Sequence, residues 1–209
     1  MAPTRTPWGV WEPATPAEVA RKFGTLPVPW WLAGGYAIEF ALGHPVRDHA
    51  DIDVLVLRRD HLAVQDALAG WQWWAADPPG ALRPWRLGER LPVGVHDLWC
   101  RPDTDRPWRV QVMVDESSGD DWVSSRNPDV RRPIAGIGDT SGDGIPFLCP
   151  EIQLFYKAKG HRPKDDVDFA AVLPILTIEQ REWLAYAITR TYGPHPWLRQ
   201  LAGRRAPKH

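Results

Sequence analysis

Cysteine is nearly absent from the chain. The two present, Cys100 and Cys149, are far apart and belong to no CxxC or clustered His/Cys pattern. This excludes a disulfide scaffold, argues against a zinc site and fits a reducing cytoplasm. Long apolar runs are missing too, since no stretch approaches the ~18 residues that a membrane span needs. The opening MAPTRTPWGVWEPATPAE has no apolar h-region, so no export signal is expected. Net charge is equally lacking: Lys plus Arg number 25 against 26 Asp plus Glu, a formal −1. Without a global basic field, nucleic acid is not the expected ligand. No internal repeat is visible.

What is present is a folding composition, 44% hydrophobic and 24% charged over 209 residues, enough for one domain or one domain with a small appendage. Proline (22) and tryptophan (13) are abundant, which predicts stiff connections and bulky filler. Trp71, Trp73 and Trp74 suit either a core or a stacking pocket for a sugar or base.

Local signals order the elements. Thr15 before Pro16 is an N-cap followed by proline at the first helical position, and Gly24 ends a helix over 16–23. The run 29–33 reads as a buried strand, Gly34-Gly35 as a turn, and 36–42 as a helix stopped by Gly43. A central strand is expected over 51–57, where β-branched residues are dense, and a helix over 61–70. Strands follow at 71–75, 94–101 and 108–115, the last two joined as a hairpin. Residues 117–144, rich in Ser, Gly, Asp and Pro, read as a loop with a short hairpin and as the subdomain boundary. Helices are expected over 150–159, 164–173 and 178–192, with a basic, frayed end over 199–209.

The chemistry concentrates in two short stretches. Asp51 and Asp53, two apart on a predicted strand, leave one sheet face with Cα atoms about 6.6 Å apart. Such carboxylates can hold a pair of magnesium ions, with nucleotide phosphates supplying further oxygens. A third carboxylate on a neighbouring strand would complete the cage: Asp115 is the first choice and Asp97 the reserve. Without cations the cluster would repel itself and raise at least one pKa. Gly34-Gly35, between strand and helix, lets backbone approach phosphate and aims helix N-terminal amides at it.

Trp30-Trp-Leu-Ala-Gly-Gly-Tyr-Ala-Ile-Glu39 followed by Arg47-Asp-His-Ala-Asp-Ile-Asp53 resembles the nucleotidyltransferase superfamily with a polymerase-β-type core. More narrowly, the sequence is similar to the small antibiotic nucleotidyltransferases of the aminoglycoside 2″-adenylyltransferase and lincosamide nucleotidyltransferase type. Pro150-Glu-Ile-Gln-Leu-Phe-Tyr156 and Lys164-Asp-Asp-Val-Asp-Phe169 also look similar, and the likeness is loose between 71 and 147. The resemblance implies an α/β (mixed α+β) fold, with a catalytic core over 1–145 of mixed sheet and flanking helices, and a helical subdomain over 146–209. It implies two Mg2+ ions, ATP or another NTP, and transfer of a nucleoside monophosphate to a hydroxyl of a small molecule such as an aminoglycoside-like antibiotic. By the same resemblance Asp51 and Asp53 are metal ligands, Asp115 is the third carboxylate, either completing the metal site or taking the proton from the acceptor hydroxyl, and Gly34 and Gly35 are the phosphate turn. Arg47 and His49 would touch phosphates, and Lys157, Lys159 and Lys164 would face the far side of the triphosphate.

The acceptor stays open. Asp97, Asp103, Asp105, Glu116, Asp120 and Asp121 could form an acidic pocket for a cationic drug, or lie in solvated turns. A catalytically idle binding or antitoxin module would show lost metal ligands, and the intact DxD speaks against it. RNA tailing would need a basic groove that the balanced charge does not supply. His161, His195 and His209 have no metal-ligand spacing and read as surface residues; Glu151 reads as a helix-dipole carboxylate. Oligomeric state is not readable.

Overall fold

The computed structural model describes residues 4–160 and 162–203. The chain opens with a hairpin of β1 (Thr4–Thr6) and β2 (Gly9–Trp11), then α1 (Pro16–Phe23), whose N-cap Thr15 and Glu18 make the reciprocal bonds of a capping box. Next come β3 (Trp30–Ala33), α2 (Gly34–Leu42) and β4 (Asp53–Leu57). A 3-10 stretch over Arg58–Ala63 leads into the short α3 (Val64–Ala67). The strands β5 (Gln72–Ala75), β6 (Arg83–Pro84), β7 (Asp97–Arg101), β8 (Val110–Ser118), β9 (Asp121–Val123), β10 (Arg131–Pro133), β11 (Gly138–Thr140) and β12 (Pro146–Leu148) follow. The helices α4 (Pro150–Lys157), α5 (Pro163–Val172), α6 (Ile178–Tyr192) and α7 (Leu198–Leu201) close the chain. No helix among the described residues is long and apolar enough to cross a membrane.

One mixed sheet runs β11-β12-β3-β4-β8-β7-β5-β6, with β9 and β10 extending from the far end of β8. The pairs β12/β3 and β4/β8 are parallel and the others antiparallel. Val54 to Leu57 are fully buried, which is why this β-branched run takes the centre. Register partners on adjacent strands share a face. Asp53, Gln111, Trp99 and Trp74 therefore form one row across four strands, and Leu55, Met113 and Asp97 form the next.

Several expected boundaries move. Asp51 and Ile52 precede β4, so Asp51 lies on the entering chain and not in the ladder. Of the helix expected over 61–70 only Val64–Ala67 is α-helical; residues 61–63 end the 3-10 stretch, where His61 turns its Nδ1 onto the Arg58 carbonyl and takes the Leu91 amide on Nε2 at 3.2 Å. Residues 117–144 hold the expected hairpin, β9 with β10, and more strand beside it. Burial of Trp122, Val123, Val130 and Ile137 draws β9, β10 and β11 from a polar composition. Because β12 pairs with β3, the sheet extends through Leu148 and the helical part begins at Pro150, not at 146. Arg199 lies in α7; His161 and residues 204–209 are outside the described residues.

Candidate active site

The site begins where β3 becomes α2 without a connecting residue. Gly34 has φ +68°, a conformation that L side chains rarely adopt, and its amide donates to Gln153 Oε1 of α4 at 2.8 Å. A β-carbon on Gly34 would meet Asp53 Oδ2, and one on Gly35 would meet the His49 ring and the Arg47 guanidinium. The two glycines are thus dictated by close approach of the very groups that the motif brings to them.

The side chain of Asp53, first residue of β4, makes no hydrogen bond or ion pair to a described residue. Burial and then the neighbouring Asp51 push its carboxyl up to about 7, with Asp97 adding to the rise and Lys157 and Lys164 opposing it. Asp97, at the start of β7, accepts a hydrogen bond from Gln111 Nε2 at 3.0 Å, and Gln111 is the register neighbour of Asp53. Asp51 and Asp97 thus both act on Asp53.

Asp115 does not join them. It stands opposite Leu57, four residues farther along the ladder than the Asp53 row, about 13 Å at the usual rise. Its carboxylate is buried and taken up by Trp122 Nε1 at 2.6 Å, the Ser125 amide at 3.3 Å and the Tyr156 hydroxyl. Burial raises its pKa and outweighs the bonds from Ser125 and Trp122. The first choice for the third carboxylate is therefore corrected: the reserve, Asp97, is the one brought within reach of Asp53.

The basic positions have partners within the protein. Arg47 donates Nε and Nη2 to Asp168 of α5, both at 2.9 Å, and so fastens the loop before β4 to the C-terminal helices. His49 is buried, lies against the Tyr36 ring at 4.3 Å and pairs through Nε2 with Glu39 Oε1 at 2.9 Å. Glu39, unmarked in the sequence reading, also accepts the amides of Val46 at 2.7 Å and Arg47 at 3.2 Å. Both basic side chains hold the loop and lie against Gly35. Lys157 is buried between Asp168 at 2.8 Å and Asp165 at 3.3 Å. Lys159 is exposed beyond α4, and Lys164 is half-buried within electrostatic reach of Asp53.

A further cation escaped the sequence reading. Arg162, at the N-cap of α5, pairs with Asp165 at 2.8 Å while standing within electrostatic reach of Asp51 and Asp53. Its role depends on how α4 and α5 fold back on β4, a long-range fact without a local signal. The acidic pocket imagined for an acceptor is not assembled: Asp103 and Asp105 lie on the turn before β8, whereas Glu116, Asp120 and Asp121 lie at its other end, Glu116 on Arg58. Glu151 is buried against Arg132 and Gln180, and His195 lies edge-on to Trp197 at 4.9 Å. A cavity of about 570 Å³ lined by Trp71, Trp73, Trp74 and Trp85 opens along β5, away from the carboxylates.

Among the described residues no three His, Cys, Asp or Glu side chains converge closely enough to hold a metal ion by themselves. The carboxylates nonetheless fit a cation that brings ligands of its own. Asp53 is unpartnered, partly buried and held back from ionising by its acidic neighbours, so a positive charge placed there would be favoured.

Several solved structures share this architecture, among them the following three. The crystal structure of ANT(2″)-Ia in complex with adenylyl-2″-tobramycin matches at TM-score 0.54 and 17% identity, covering 83% of this chain and 95% of that one. The solution structure of ANT(2″)-Ia matches at 0.55 and 18%, covering 84% and 90%. The lincosamide antibiotic adenylyltransferase LnuA, lincomycin-bound, matches at 0.54 and 17%, covering 79% and 100%. No curated protein matches the sequence significantly. The family model for aminoglycoside-2″-adenylyltransferase matches residues 17–172, which span the glycine turn, Asp51, Asp53 and Asp97, and the α4–α5 cations. The chain belongs to that family and is a nucleotidyltransferase.

Proposed function

We propose that the chain transfers a nucleoside monophosphate, AMP foremost, from a nucleoside triphosphate to a hydroxyl of a small-molecule acceptor. The observation that carries this reading is the unpartnered Asp53 carboxylate, raised to about 7 by burial and Asp51, beside a glycine turn and facing cations of α4 and α5.

Asp51 and Asp53 would hold magnesium, which supplies, when bound with the nucleotide, the positive charge that offsets charge on the entering and leaving oxygens. The protein's own groups do the rest. Gly34 and Gly35 keep side chains out of the space over β4, so the phosphates can approach the helix α2 amides that Gln153 does not occupy. Arg162 and Lys164 flank the carboxylates and suit the departing end of the triphosphate. Asp97, held by Gln111, sits on the side away from α2 and orients the acceptor hydroxyl as its hydrogen-bond acceptor. Holding both reactants in line is worth about 7–11 kcal/mol in the proximity account, more than one base is expected to give.

The two bound antibiotics named for the structural neighbours, tobramycin and lincomycin, are the first acceptors to test. Incubation with ATP, magnesium and either one should release pyrophosphate. In Asp53→Asn the release should fall to background. Equal rates in Asp53→Asn and wild type would contradict the assignment. The unpaired Cys100 and Cys149 are consistent with work in the cytoplasm.

A further inference from the structure

The row that starts at Asp53 does not end at the carboxylates. Two strands over, about 10 Å away at the usual strand spacing, it reaches Trp99, and one strand beyond that Trp74. Trp99 is also two residues from Asp97 on the same strand and the same face. Around it stand Trp8, Trp11 and Trp108, with ring centroids 5.8, 4.9 and 5.6 Å away, all steeply inclined to it. Trp11 and Trp108 are buried, so the accessible aromatic surface belongs to Trp8, Trp74 and Trp99. Trp8 is 41% exposed, unusually open for a tryptophan.

The hairpin that carries Trp8 is fixed there. The Trp108 amide donates to the Val10 carbonyl at 2.8 Å, Glu12 donates back to Trp108 at 3.0 Å, and Trp108 Nε1 donates to the Trp8 carbonyl at 2.9 Å. Residues 10–14 thus continue the lane of β4 below Asp51.

We propose that Trp99, with Trp8 beside it, is the platform on which the acceptor lies, and that it selects a sugar-ring acceptor of low positive charge over a polycationic one. The inference rests on the transferase reading above and adds to it the class of acceptor. Indole faces bind the C–H face of a sugar ring and leave its hydroxyls free along the edges. Asp97 lies two residues from Trp99 on the same face, and the Asp53 row leads to it. Charge argues the second half. The guanidinium of Arg101 lies 4.3 Å from the Trp108 ring and 5.7 Å from the Trp74 ring. Arg101 and Arg106 match Asp103 and Asp105 of the next turn, leaving the outer end of the platform without the acidic excess that a polyamine needs. Arg109, beside it, is paired with Glu12 at 3.1 Å and Glu18 at 3.4 Å.

The test is calorimetric titration of lincomycin and of tobramycin into the full chain without nucleotide, alongside steady-state KM values for ATP and acceptor. Lincomycin is expected to bind more tightly than tobramycin. Trp99→Ala should weaken lincomycin about tenfold in affinity and in acceptor KM with the ATP KM unchanged, and Trp99→Phe should restore most of the loss. Trp8→Ala, on the exposed hairpin, gives a second reading that does not disturb the sheet and should weaken lincomycin about threefold. Tighter binding of tobramycin, binding of neither compound, or unchanged affinity in both the Trp8 and Trp99 variants overturns the platform. Trp99-dependent binding with no pyrophosphate release leaves the platform standing and removes the transferase reading instead.

Discussion

The Oδ2 of Asp53 stands 2.2 Å from the point that a β-carbon on Gly34 would occupy. Fold and chemistry meet in that contact: the residue that must be glycine for its backbone is the residue over which the carboxylate lies. Gly34→Ala adds a methyl at positive φ and displaces Asp53. It should cost on the order of 2 kcal/mol or more in stability and eliminate transfer even at temperatures where the variant is folded. Thermal melting beside a pyrophosphate assay at low temperature checks both.

Asp168 joins Arg47 of the loop before β4 to Lys157 of α4, and its side chain is 1% exposed. Asp168→Asn takes the carboxylate from Arg47 and leaves buried Lys157 with Asp165 alone, and should destabilise the fold by about 3 kcal/mol, measured by urea unfolding. Lys157→Ala should likewise lower stability, by leaving Asp165 and Asp168 short of their partner, and not merely weaken nucleotide binding.

The same network sets an acid limb. Burial works to raise the pKa of Asp168, but its bonds to Arg47 and Lys157 outweigh it and hold the carboxyl below the usual range. Arg162 and Lys157 do the same for Asp165, down to about 2. A lowered folded pKa stabilises fully above the unfolded value of about 3.8 and loses that contribution as pH falls through the folded one. Stability should therefore drop between pH 4 and 2, and the drop should shrink in Asp168→Asn. Unfolding midpoints across that range decide it.

Asp115 carries the opposite sign. Its folded pKa is raised by burial, so the unfolded chain releases a proton above about 3.8 that the folded chain retains. Its contribution to stability falls as pH rises from there through the folded pKa. Asp115→Asn should flatten that descent. Urea midpoints for wild type and variant from pH 4 to 8 would show it, and identical slopes would contradict it.

The parts of the site legible in the sequence are those written locally. Strand, Gly-Gly, helix and DxD lie within residues 30–53, where spacing alone orders the elements. The third carboxylate is not local. Alternation along β8 puts Gln111, Met113 and Asp115 on one face, but only the parallel register with β4 tells which row each occupies, and it sets Asp115 opposite Leu57. Arg47 and His49 were legible as basic residues near phosphate ligands, yet their partners, Asp168 and Glu39, lie on helices whose packing no spacing reveals. The strands between 117 and 144 hid behind turn-forming residues because a few buried side chains, Trp122 and Ile137 among them, decide the outcome. Gln153, Arg162 and Trp99 become functional only through tertiary neighbours.

The central claim is that Asp97, and not Asp115, completes the carboxylate group of Asp51 and Asp53. Its most direct test is the rate of pyrophosphate release, with saturating ATP, magnesium and acceptor, in Asp97→Asn and Asp115→Asn at a temperature where both are folded. The account predicts a fall of at least about a hundredfold in Asp97→Asn, as for loss of a general base or transition-state ligand, and a rate near wild type in Asp115→Asn. A near-normal rate in Asp97→Asn, with the loss falling on Asp115→Asn, would contradict it.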